Sequence, residues 1–274
     1  MVSANRPSVL LLHDQLLDAR VWRGFADRLA GHAEVLTVTA PTPAEFRGRP
    51  QEWAADLETA VRPTLAAYGP VDLALGAGWA IGAALSLLER GAARRALLVN
   101  PWPPAAVFEA LPDVADLSDE ERQRFAPPPD RPEVPAPDGA VVEQIDDEGV
   151  VRAEAMKYLL EVAWDSDRLD VLDEADRLAV KQIQAEAFSR LLPLALAPLR
   201  DTTTADEPDW MGRAAALASR CTVALGSTVL ARVRELLAER TPALVVIDLP
   251  TVTPFPWLED PEQMDAVVRE VLGR

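Results

Sequence analysis

The chain of 274 residues has one cysteine and two histidines. A single cysteine, Cys221, excludes an intramolecular disulfide and fits a reducing compartment. It opens an apolar run and reads as a packed small side chain rather than a reactive thiol. Histidine is too scarce for a metal centre: no pair of histidines or cysteines occurs at ligand spacing. There is no Gly-x-Gly-x-x-Gly and no phosphate loop, so no nucleotide cradle is visible and no cofactor is expected. The apolar runs fall well short of the roughly 20 residues that span a bilayer, and "MVSANRPS" leads straight into a strand rather than a signal peptide. A cytoplasmic location is the expectation. Basic residues are outnumbered, 27 Lys and Arg against 44 Asp and Glu, for a formal charge of −17. That field repels nucleic acid and anionic membrane surfaces and otherwise serves solubility.

Aromatics make up only 5% of the chain, yet hydrophobic residues reach 49%, ample for one large buried core. The first hundred residues alternate regularly. "SVLLLH" (8–13) is a continuous aliphatic run, as a strand buried on both faces should be. "ARVWRGFADRLA" (19–30) sets Val21, Trp22, Phe25 and Leu29 at helical spacing. "EVLTVTAP" (34–41) is a second strand, and the helical stretch 50–68 puts Trp53, Leu57, Val61 and Leu65 on one face. "VDLAL" (71–75), a helix from Ala80 to Arg90 and "RALLVN" (95–100) follow. Strands resume at "CTVALG" (221–226) and "ALVVIDL" (243–249), and a last helix runs from about Asp260 to Leu272. Such alternation predicts an α/β fold with a doubly wound, mostly parallel sheet.

Between these blocks the character changes. From Trp102 a proline- and acid-rich stretch precedes helical text at 150–166, 167–180 and 181–199. Its acidic runs read as solvated surface rather than a cation site. The expected organisation is a core of residues 1–101 and 221–274, with 102–220 as a linker and helical cap over the C-terminal ends of the strands, where such sheets bind ligands.

Five landmarks resemble the α/β-hydrolase fold, in the right order. They are "LLLHDQLLDARVW" with His13 in the oxyanion-loop register, "LALGAGWAIGAALSLLERG" as strand, nucleophile elbow and helix, and "LLVNPWPP" leading to the cap. "TVALGSTV" stands for the strand that delivers the acid, and "TVTPFPWLEDPEQ" for the histidine loop and last helix. Hydrolysis in that family needs a nucleophile, a histidine and an orienting carboxylate. The aligned residues are Gly78, Val229 and Pro254, none of which has the required group. The second elbow glycine is replaced by Ala80, and Asp14 follows His13 where the family has glycine. A carboxylate there disfavours an oxyanion nearby. His13 is expected to organise its loop, and His32 to lie at the surface after the first helix.

The resemblance implies a pocket lined by Gln15 and Leu16 of the first loop, Ala40 after the second strand, Gly78 and Trp79 on the floor, Trp102 and Phe108 at the start of the cap, Thr228 and Val229 beside it, and Phe255 in the last loop. Met156 and Trp164 are further candidates on a cap helix, where core packing explains them equally well. The sequence is similar to the atypical, triad-less branch of ribosomal-peptide biosynthesis typified by the bottromycin epimerase. That likeness implies an isomerase that converts L-Asp to D-Asp beside a thiazoline in a modified macrocyclic peptide, with the substrate's own carboxylate as base. Three alternatives stay open: a pseudo-hydrolase that only binds a small molecule or peptide as carrier or resistance protein, a triad-less cyclase of natural-product biosynthesis, and a hydrolase with a relocated catalytic group such as Asp14 acting on water. The oligomeric state is also open, since the terminal helix shows no heptad pattern.

Overall fold

The computed structural model describes residues 6–14, 17–39, 50–101, 168–183, 210–227, 229 and 231–274. Among these residues, six strands form one sheet: β1 (Ser8–Leu12), β2 (Glu34–Thr37), β3 (Val71–Ala77), β4 (Ala93–Val99), β5 (Cys221–Leu225) and β6 (Val245–Asp248). Their order is β2-β1-β3-β4-β5-β6, and every pairing is parallel.

The aliphatic strands divide their side chains between two cores. Along β1, Leu10 and Leu12 enter one cluster while Val9 and Leu11 enter the other. In β4, Ala96 and Leu98 face the first and Leu97 and Val99 the second. This period of two is what a strand covered on both faces requires, and it accounts for the unbroken apolar runs in the sequence.

Helices cover both faces. The first cluster holds Trp53, Leu57 and Val61 of α2 (Pro50–Tyr68), Leu85 and Leu88 of α3 (Ile81–Glu89), Met211 of helix Trp210–Ala216, and Val233 and Leu236 of helix Ala231–Arg240. The second holds Phe25 and Leu29 of α1 (Arg23–Leu29), Val268 and Val271 of the terminal helix Pro261–Gly273, and Leu169, Val180 and Ile183 from residues 168–183. Each fully buried Leu or Phe contributes on the order of 1.5–3 kcal/mol. Helix Trp210–Ala216 is clamped to α3 by Arg213, whose Nε and Nη2 donate to Glu89 at 2.8 and 2.9 Å. That hydrogen bond outweighs partial burial and holds the Glu89 carboxyl below its ordinary range.

Within the described residues the expected elements are present with small shifts at their ends. The stretch 167–180 forms a 3-10 turn, Arg168–Val171, followed by helix over 174–183, while the helix read at 150–166 and residues 184–199 of the one read at 181–199 lie outside the described residues. β2 closes at Thr37 and β4 starts at Ala93, two residues before the predicted start at Arg95. Three helices lay outside the sequence reading: Ala231–Arg240, which crosses from β5 to β6, the short Pro256–Glu259, and Trp210–Ala216 in the stretch read as linker and cap. The first is rich in Arg and Glu, so its buried stripe is narrow and its periodicity faint. Among the described residues, no helix is long and apolar enough to cross a membrane.

Candidate functional site

β1 and β3 are neighbours although β2 separates them in the chain, so the winding of the sheet reverses between them. Parallel sheets bind ligands at this switch point, outside the C-terminal ends of the strands. Register then decides which residues meet there. Leu12 pairs with Gly76, so Asp14 and Gly78 emerge side by side, each two residues farther on. Ala77 pairs with Val99, which sets Asn100 on the other flank of Gly78.

β3 passes through a 3-10 turn, Gly78–Ala80, into α3. Gly76 permits the sharp turn, since a Cβ there would stand 2.8 Å from the Ala80 carbonyl oxygen and 3.0 Å from Ala84 Cβ. Gly78 has φ +56°, a left-handed conformation that costs other residues about 1–2 kcal/mol. More telling is what lies over it. A Cβ on Gly78 would come within 1.8 Å of Asp14 Oδ2 and 2.8 Å of Asp14 Cγ. The Asp14 carboxylate therefore fills the volume into which a side chain at this turn would project. Its Oδ2 also accepts the Trp79 backbone N–H at 3.1 Å. In a Gly-x-Ser-x-Gly elbow, the N–H of the residue after the nucleophile is an oxyanion-hole donor. Here a carboxylate holds it.

Asp14 is itself held from behind. Its carbonyl accepts both the Leu17 N–H at 3.0 Å and His13 Nδ1 at 2.8 Å. A carbonyl oxygen only accepts, so Nδ1 carries the proton. His13 is 1% exposed, its ring tilted against Trp53 at 5.8 Å, and the Trp53 indole N–H reaches the His13 carbonyl at 3.4 Å. Burial lowers the His13 pKa, opposed in part by the bond to the Asp14 carbonyl and by the charge of Asp18. His13 organises its loop, as expected. Asp18 caps the turn Ala19–Trp22 by accepting the Arg20 N–H at 2.8 Å. Burial opposes its ionisation, but the Arg20 hydrogen bonds prevail and its pKa is lowered.

The loops after β4, β5 and β6 are tied together by Asn100, which has φ +44°. Its Oδ1 accepts the Gly226 N–H at 2.7 Å, and its Nδ2 donates to the Pro254 carbonyl at 3.1 Å. Gly226 leaves room for these ties: a Cβ there would meet Thr251 Oγ1 at 2.9 Å and the Asn100 amide at 3.2 Å, so a side chain would have to push one or both aside. Ser227 adds a second tie, its N–H and hydroxyl both donating to the Thr251 carbonyl, at 2.8 and 2.6 Å. Val229 follows, partly buried, with its N–H on the Gly226 carbonyl at 3.2 Å. Val229 and Pro254, read as the acid and histidine positions, thus sit on loops joined by one amide side chain. The sequence reading passed over Asn100. Its signal was an asparagine at a strand end, the polar residue that best tolerates positive φ.

Trp79 and Phe255, expected in the pocket, are 7% and 2% exposed. Trp79 belongs to the cluster under α2 and α3; Phe255 belongs to the opposite one, edge-on to Trp257 at 5.8 Å. Gln15, Leu16, Ala40, Trp102, Phe108, Met156, Trp164 and Thr228 lie outside the described residues. His32 departs from the expected surface position. It is partly buried, and its Nε2 meets the buried Asp265 at 2.5 Å, joining the end of α1 to the terminal helix. Cys221 is buried, and burial pushes its thiol pKa up to about 12.

No family model and no curated protein matches the chain. Solved structures do match over nearly its whole length. Est816, described as an N-acyl homoserine lactone degrading enzyme, is 18% identical with a TM-score of 0.57, over 96% of this chain and 92% of that one. A thermophilic esterase from Thermogutta terrifontis is 18% identical with a TM-score of 0.55, over 97% and 89%. The enol-lactonase from Burkholderia xenovorans LB400 is 13% identical with a TM-score of 0.56, over 100% and 94%. At such identities the likeness is one of architecture: this chain has the α/β-hydrolase fold.

Proposed function

We propose that this protein is a non-hydrolytic enzyme on the α/β-hydrolase fold, a peptide epimerase that converts L-Asp to D-Asp beside a thiazoline in a ribosomally made macrocyclic peptide. The observation that carries this reading is the Asp14 carboxylate over Gly78, bonded to the Trp79 N–H. Acyl transfer at an elbow needs a nucleophile and donors turned toward a developing oxyanion. Gly78 offers no nucleophile, and the donor faces a negative group. Val229 and Pro254, read at the other two triad positions, offer neither a carboxylate nor an imidazole.

Exchange of a Cα proton needs none of these parts. The neighbouring azoline acidifies the C–H bond, because the electron pair left behind spreads onto the ring nitrogen. The protein has to hold the reactive conformer and place a base within reach of Cα. A site without acyl-transfer machinery also spares the azoline and the peptide bond from hydrolysis. The resemblance to triad-less hydrolase-fold proteins of peptide biosynthesis supplies the substrate class.

The test is incubation of the full chain with an aspartyl-thiazoline peptide in deuterated water. The expected result is one deuterium at Cα and growth of the D-epimer, above the rate without protein. Binding with no exchange would overturn the proposal in favour of a carrier, and turnover of simple activated esters would overturn it in favour of a hydrolase.

A further inference from the structure

We infer that Asp14 is the catalytic base of this site, so that the substrate need not bring one. The inference rests on the epimerase reading and sharpens it. It stands on where the carboxylate is. Oδ2 lies 1.8 Å from the point where the first side-chain atom at the elbow would stand, so it occupies the place from which this fold addresses its substrate. Three constraints fix it there: the strand register that brings residue 14 beside residue 78, the Trp79 N–H on Oδ2, and two bonds to the Asp14 carbonyl from Leu17 N and His13 Nδ1. His13 is the positioning residue: buried, with Nδ1 committed to that carbonyl, it sets the loop rather than touching substrate.

The step balances with water as the only co-reactant. The Cα–H bond breaks and its proton goes to the Asp14 carboxylate. The electron pair forms a double bond from Cα to the azoline carbon, and the former C=N pair moves to the ring nitrogen. A water molecule then protonates Cα on the opposite face, the electrons return, and Asp14 gives its proton to the hydroxide so formed. No atom is gained or lost, and Cα is inverted.

A consequence for substrate choice follows. Two carboxylates within about 4–6 Å disfavour each other's charge. A peptide with a neutral side chain at the epimerised carbon therefore fits beside Asp14 at least as well as an aspartyl one. The substrate class widens to peptides with any small residue preceding an azoline.

The experiment crosses two peptides with variants of the full chain. Synthetic peptides carrying L-Asp or L-Asn before the thiazoline are incubated in deuterated water with wild type and with Asp14→Asn, and the rate without protein is subtracted. Asparagine keeps the shape and an oxygen for the Trp79 N–H. The expected result is exchange of both peptides by wild type, and a loss on the order of 100-fold or more for both with Asp14→Asn, with peptide Kd nearly unchanged. Asp14→Ala serves as the second variant, and exchange restored in proportion to added formate identifies a missing base rather than a damaged fold. Asp14→Asn exchanging the aspartyl peptide at the wild-type rate, with the asparaginyl peptide inert to wild type, would overturn the assignment and leave the epimerase with a substrate base. Exchange of neither peptide by wild type would overturn the epimerase reading itself. Oxygen-18 from labelled water entering the Asp14 carboxyl would show a covalent nucleophile and also overturn the assignment.

Discussion

The crowding of Asp14 against Gly78 can be measured as a coupling energy. Gly78→Ala places a methyl 1.8 Å from Asp14 Oδ2, a contact that cannot exist, so the carboxylate must swing away. It then loses the Trp79 N–H, a hydrogen bond to a charged group of about 1.5–3 kcal/mol. The left-handed backbone at residue 78 adds about 1–2 kcal/mol for alanine. Roughly 0.4–1 kcal/mol is returned by the stiffer unfolded chain. Gly78→Ala should thus destabilise the protein by about 1.5–4.6 kcal/mol. In an Asp14→Ala background only the backbone term and the return remain, since Asp14 Cβ is 3.4 Å from the new atom, and the cost falls to about 0–1.6 kcal/mol. Urea denaturation of wild type, both single variants and the double variant closes the cycle. The expected coupling is about 1.5–3 kcal/mol, with each variant more tolerable in the presence of the other. Additivity within about 0.5 kcal/mol would refute the placement of the carboxylate over Gly78, and the assignment of Asp14 as base would fall with it.

Gly78→Ser should give no esterase activity above background on activated esters, because Val229 and Pro254, at the positions read as acid and histidine, offer no imidazole to take the serine proton and no carboxylate to orient one. Asn100→Ala loses the bonds to Gly226 and Pro254 and sets alanine at φ +44°, for about 2–4 kcal/mol by urea denaturation; Asn100→Gly, relieved of the backbone term, should cost about 1 kcal/mol less. Burial lowers the His13 pKa, so its stabilising neutral form is fully favoured above the unfolded value near 6.5. Below that the unfolded chain takes up a proton that the folded one refuses, and stability is lost as pH falls. Between about pH 7.5 and about pH 5, wild type should lose more unfolding free energy than His13→Asn, and equal slopes would contradict this. Cys221, with its pKa near 12, should resist alkylation at about pH 8 until the protein is denatured, followed by intact mass.

Much of the architecture is legible in the amino-acid sequence. The unbroken runs "VLLL" and "ALLV" predicted strands buried on both sides, and the two core clusters divide their residues in strict alternation. The helical stripe of Trp53, Leu57 and Val61 lies in the first cluster, and that of Trp22, Phe25 and Leu29 in the second. The turn at Gly78 was legible from its small, glycine-flanked neighbours. Less legible were helix Ala231–Arg240, whose charge masks its stripe, and the tether of His32 to Asp265, which joins residues 233 positions apart.

By itself the sequence determined which faces are buried, where the strands and the strongly periodic helices fall, and that the elbow carries glycine. Those properties depend on side-chain periodicity and backbone freedom, which are local. Only the tertiary structure decided what stands in the empty elbow. Asp14 was visible as a carboxylate in the wrong loop, but its oxygen on the Trp79 N–H depends on β1 and β3 lying side by side in one register, 65 residues apart in the chain. The same holds for Asn100, whose amide reaches partners 126 and 154 residues away. Strand order and register are settled by the packing of the whole sheet, and no local pattern encodes them.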